Sequence, residues 1–100
     1  MTCALLFEAT SIQAYILATG RLREIIGASE RVEALCGSVL DAALDAAGVR
    51  DELLFSRRAG GAFYAISENR TALERLAALW PLLVAQWAPG LEFQMAIGEG

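Results

Sequence analysis

One hundred residues, 56% of them hydrophobic at a mean hydropathy of +0.45, supply enough apolar material for one compact core and leave no room for a second domain. Eight arginines against twelve carboxylates give a net charge of −4 with no block of either sign, which argues against a duplex nucleic-acid binder that works by neutralising phosphates but leaves room for a small local phosphate site. The chain has no histidine, so imidazole-based zinc sites and histidine acid–base catalysis are excluded with it.

Residues 2–9, "TCALLFEA", form a nearly continuous apolar run, the pattern of a central strand. Thr10 with Gln13 three positions on has the form of a capping box and predicts a helix from about Ser11. Ile12, Tyr15, Ile16, Leu22, Ile25 and Ile26 supply its apolar positions, with Gly20 as a weak point. Gly27, Ala28 and Ser29 then predict a break. After it, Val32, Leu35, Cys36, Val39, Leu40, Ala43, Leu44 and Ala47 mark one face of a second helical stretch that Gly48 stops.

"ELLFSRR" and "AFYAIS" read as two short strands joined by "AGG", a hairpin with glycine where positive φ is needed. Thr71 with Glu74 forms a second capping box, opening a helix that runs to about Trp87 with a proline kink at Pro81. Pro89 and Gly90 end it. In "LEFQMAIG", Leu91, Phe93, Met95 and Ile97 alternate with Glu92, Gln94 and Ala96, a half-buried strand.

The order strand, helix, strand, strand, helix, strand predicts a ferredoxin-like α+β domain, with helices on one face of a four-stranded antiparallel sheet. The last strand ends at the end of the sequence, which reads as one domain of, or related to, a longer protein. Cys3 and Cys36 sit in apolar contexts and read as buried, reduced thiols. The N-terminus lacks the basic region of a signal peptide, and residues 76–88 are too few to span a bilayer, so a cytoplasmic, membrane-free protein is expected.

In this topology the end of the first strand lies beside the tip of the hairpin. Glu8, the turn Ala9-Thr10-Ser11 and the glycines Gly60 and Gly61 would therefore meet at one edge of the sheet. This layout resembles that of palm-type nucleotidyl transferases and cyclases, in which two carboxylates, one from each element, hold two magnesium ions against a triphosphate, and backbone amides at the helix start can cradle its phosphates.

The stretches "LLFEATSIQAYILATGRLREIIGASERVEAL" and "FSRRAGGAFYAI" resemble the palm domain of the large polymerase/cyclase subunit of type III CRISPR effector complexes and its stand-alone relatives. The likeness covers roughly residues 4–66 in several separate motifs. It implies that Glu8 stands where the first metal-binding aspartate stands, and that Ala9, Thr10, Ser11, Ile12 and Gln13 form the strand-to-helix turn. It also implies that Gly27, Ala28 and Ser29 approach a bound nucleotide and that Gly60 and Gly61 are the first half of a Gly-Gly-Asp-Asp signature. The second half is absent: Ala62 and Phe63 occupy the aspartate positions.

The resemblance therefore implies a degenerate palm that binds ATP with its magnesium, alongside a second palm or a second copy, in cyclic oligonucleotide signalling for antiviral defence. Two alternatives remain: an active cyclase or polymerase half with Glu8 as its metal ligand, and a ligand-free scaffold that dimerises through its apolar helix 72–88. Each motif also has a local explanation. Glu8 reads as a solvated carboxylate, Gly27 and Ser29 as a helix stop and cap, Gly60 and Gly61 as hairpin geometry. Arg57 and Arg58 point to opposite sheet faces, so at most one could meet a phosphate.

Overall fold

The computed structural model describes residues 2–18 and 20–99. Four strands, β1 (Cys3–Thr10), β2 (Leu54–Ala59), β3 (Ala62–Ser67) and β4 (Glu92–Glu99), form one antiparallel sheet in the order β2-β3-β1-β4. Helices α1 (Ile12–Ile16), α2 (Leu22–Ala34) and α3 (Leu40–Ala47) lie between β1 and β2, and α4 (Arg70–Trp87) between β3 and β4. This is the ferredoxin-like order expected from the sequence.

Strand period two decides which face the core takes. Along β1, Cys3, Leu5, Phe7 and Ala9 are buried, while Leu6 and Glu8 between them are exposed. Phe7 stacks on Phe63 at 5.3 Å and Trp80 of α4 meets both rings edge-on, so the aromatic centre of the core lies between sheet and helix. Among the described residues, no helix covers the opposite face of the sheet, where Leu6 and Glu8 are exposed. Cys3 and Cys36 are both free and buried, as expected.

Three local expectations need correction. The helix does not break at residues 27–29: α2 runs through Gly27, Ala28 and Ser29 without interruption. Glycine and serine inside a helix cost at most about 1 kcal/mol each, which packing of Ala28 and Val32 overrides. The break falls earlier, after Leu17, where Gly20 takes φ +70° and Arg21 is extended. Of the apolar positions expected to face the core, Leu22 is 73% and Ile26 52% exposed.

The capping boxes also fail. Ser11, not Thr10, is the N-cap of α1, with no side-chain bond, and Asn69, not Thr71, caps α4, its Oδ1 accepting from the Ala72 N–H at 3.3 Å. A further irregularity had no counterpart in the sequence reading. Residues Leu35–Val39 form a π-turn between α2 and α3, with Gly37 at non-helical φ −99° and ψ −105°. Helix α4 continues through Pro81. It buries Ala72, Leu73, Leu76, Trp80 and Val84, so most of the apolar surface assigned to dimerisation is spent in the core.

Candidate functional site

The apposition expected at the sheet edge is present. Glu8 lies opposite Ala62 in the β1–β3 register, and beyond it the Ala9 N–H donates to the Gly61 carbonyl at 2.7 Å. Gly60 turns the hairpin at φ +59°, a left-handed conformation that suits glycine. Gly61 is required for a different reason. A Cβ there would stand 2.9 Å from both Ala9 Cβ and Ile12 Cδ1, so the hairpin tip, the end of β1 and the start of α1 are in direct contact.

This contact divides the expected site residues among three places. Ala9, Ile12 and Gly61 pack against one another and leave no space for a ligand between them. Glu8 stands on the helix-free face, in an open depression of about 490 Å³ with Leu6, Tyr64 and Gln94. Ser11 and Ala28 line a groove of about 620 Å³ on the helical side, with Tyr15, Glu24, Arg31 and Glu92. Thr10 pairs with Glu92, and Gln13 is exposed. Gly27 and Ser29 do not line that groove.

Ser11 is the one non-glycine residue with positive φ among the described residues, at φ 52° and ψ 37°. Such a backbone costs about 1 kcal/mol or more for a residue with a Cβ, and it reverses the chain sharply at the lip of the groove. Helix α1, which follows, has only five residues and contributes little dipole. In the groove itself, Tyr15, Ala14 and Ala28 offer apolar surface, and Arg31 offers a guanidinium. Neither Arg31, Glu24 nor Glu92 forms an ion pair with any other described residue.

The carboxylates do not assemble a two-ion centre. The residues beside Glu8 in the sheet are Ala62 and Gln94, and no group of three or more acidic or cysteine ligands occurs among the described residues. One exposed carboxylate does not fit a site that must hold two hard cations by protein oxygens. Phe63, where the resemblance would put an aspartate, faces the core and stacks on Phe7.

The hairpin arginines separate as strand geometry requires. Arg57 lies over the Tyr64 ring at 5.7 Å, both on the helix-free side. Arg58 points the other way: its Nε donates to the Cys36 carbonyl at 2.7 Å, and its Nη2 donates to the Gly37 carbonyl at 2.8 Å and to the Asp41 carboxylate. Its guanidinium is committed to the π-turn. Arg50 closes the same region from the other side, with Nε donating to Asp45 Oδ1 at 2.7 Å. Hydrogen bonds from Arg58 hold the Asp41 carboxyl below its usual range, and those from Arg50 do the same for Asp45. Burial pushes the Cys36 thiol up to about 11, against the pull of Arg58 and Arg57.

Sequence reasoning missed the groove residues Tyr15, Glu24, Arg31 and Glu92. The signal for two of them was available, since Glu24 and Arg31 fall at i and i+7 around the expected site residue Ala28 at i+4, on one helix face. No protein-family model matches the chain, and no curated protein matches it. No helix among the described residues is long and apolar enough to cross a membrane.

Proposed function

We propose that the chain is a nucleotide-binding, non-catalytic palm domain of the type III CRISPR-associated kind, taking ATP with its magnesium and leaving chemistry to a second palm. The observation that carries the reading is the groove. The strand-to-helix turn and the residues 27–29 segment, two motifs of the resemblance far apart in sequence, each contribute a lining residue, Ser11 and Ala28. Its volume of about 620 Å³ falls within the range of small-molecule sites.

The lining suits a nucleotide in outline. Tyr15 with Ala14, Ala18 and Ala28 gives an apolar bed for a base, Glu24 and Glu92 can accept hydrogen bonds from ribose hydroxyls, and Arg31 is the one guanidinium lining the groove for a phosphate. With a single cation, affinity is modest. Magnesium arrives on the phosphates, with Glu8 at most a single carboxylate on the far side of the sheet edge. Loss of the hairpin acids at Ala62 and Phe63 removes turnover from this half.

Calorimetric titration of magnesium ATP into the domain tests this. The expected result is saturable binding that Arg31→Ala weakens by about tenfold, the equivalent of about 1.4 kcal/mol, while Ser29→Ala and Glu8→Ala leave it nearly unchanged. Absence of heat at millimolar ATP, or binding indifferent to Arg31, would overturn the reading. Cyclic oligonucleotide product that disappears in Glu8→Ala would replace it with the active-half alternative.

A further inference from the structure

We infer that α2 is the contact between two copies of this chain, crossing its own symmetry mate antiparallel at Gly27. The molecule measures 47 × 23 × 20 Å, and α1 with the first turns of α2 has no buried residue: burial along α2 begins at Ala28 and resumes at Val32. Helix α2 presents an outward stripe at i, i+3, i+4 and i+7 spacing made by Arg23, Ile26, Gly27 and Glu30. Ile26, 52% exposed, is its large apolar member, and Leu22, 73% exposed, lies one turn before it.

The stripe is complementary to itself. If two copies of α2 run antiparallel about the midpoint between residues 26 and 27, Ile26 of each faces Gly27 of the other, and Arg23 of each faces Glu30 of the other. A Cβ on Gly27 would meet nothing within 4 Å, so the space over its backbone is open to an incoming Ile26 side chain. Neither Arg23 nor Glu30 forms an ion pair with a described residue, and neither has an opposite charge three or four positions away along the helix. Both charges are exposed to solvent, and across the pair each meets its opposite. This also gives a second account of a glycine in mid-helix, where helix propensity alone would favour alanine.

The contact is on the side of α2 away from the buried Ala28 and Val32, but Gly27 is three positions from Glu24 and four from Arg31, so the crossing borders the groove that those two line. A single helix crossing is smaller than the ~1,200 Å² typical of a stable complex, so the dimer is weak.

Sedimentation equilibrium on the 100-residue chain up to about 1 mM reads this directly. The expected result is a monomer–dimer equilibrium that Arg23→Glu weakens by about tenfold or more, and that the double variant Arg23→Glu/Glu30→Arg restores. Gly27→Leu, whose Cβ meets nothing within 4 Å in the monomer, should abolish the dimer while circular dichroism melts show the fold kept. A monomer at every concentration, or a dimer indifferent to these changes, overturns the inference.

Discussion

Replacing Arg58 with alanine tests how the π-turn is held. The guanidinium supplies donors to two backbone carbonyls, Cys36 and Gly37, that sit at the junction of α2 and α3. Hydrogen bonds from a charged donor contribute about 1.5–3 kcal/mol each when buried, and the Arg58 side chain is 27% exposed, so water recovers part of this. Its guanidinium also covers the Phe55 ring at 5.4 Å, a contact alanine loses. The expected cost is about 2–3 kcal/mol, or a fall in Tm of roughly 10–20 °C for a domain this small. Arg58→Lys should recover little, because one ammonium cannot span two carbonyls and a carboxylate in a fixed fork. Arg57→Ala, next along the same strand but exposed, serves as the control and should stay within about 0.5 kcal/mol. Thermal and urea melts of the three variants decide the matter. A Tm for Arg58→Ala within about 3 °C of the parent would refute the argument that this side chain clips the turn.

Other consequences follow from the same contacts. Gly61→Ala must push Ala9 and Ile12 apart from 2.9 Å contacts and should cost about 1–3 kcal/mol in a urea melt, because the Ala9 Cβ is fixed to a strand backbone. Ser11→Gly relieves a left-handed residue and should raise stability by about 0.5–1 kcal/mol, or leave it unchanged, but not lower it. The Cys36 thiol, raised to about 11 from 9.0, stays protonated in the fold over a range where the unfolded thiol ionises, so stability should fall as pH rises from 9 towards 11, and Cys36→Ala should flatten that fall. At the acid end, Asp41 and Asp45 have depressed folded pKa values, so the stability they contribute is present above the ordinary carboxylate value of 3.8 and lost below it. A melt series from pH 6 to about 2 should lose the Asp45 part of that step in Arg50→Ala and keep most of the Asp41 part, which Arg58 holds.

Much of the fold was legible because strands declare themselves locally. The alternation in Phe93, Met95 and Ile97 against Glu92 and Gln94 fixed the face of β4, and "AGG" between two short apolar runs fixed the hairpin. The apposition of Ala9 with Gly61 then followed from topology alone. Helix boundaries were less legible. Glycine and serine signal a break in isolation, but their penalty is about 1 kcal/mol, and burial of Ala28 and Val32 exceeds it. Gly20 had been marked as a weak point only, yet the break lies beside it.

The site was harder to read for a different reason. Glu8 belongs to the exposed set of β1 together with Leu6, and that parity places it across the sheet from the groove at Ser11 and Ala28. Closeness in sequence to a turn does not decide which face a strand residue takes. The Arg58 clip depends on a π-turn contributed by a segment more than twenty residues earlier, and no local pattern announces such a partner.

The most direct test of the proposed nucleotide site is an amide-resolved NMR titration with magnesium ATP. The account predicts saturable shifts at Ser11, Tyr15, Ala28 and Arg31, with the Leu6, Tyr64 and Gln94 amides of the helix-free face little changed. Shifts confined to the Glu8 depression, or none at millimolar ATP, would contradict it.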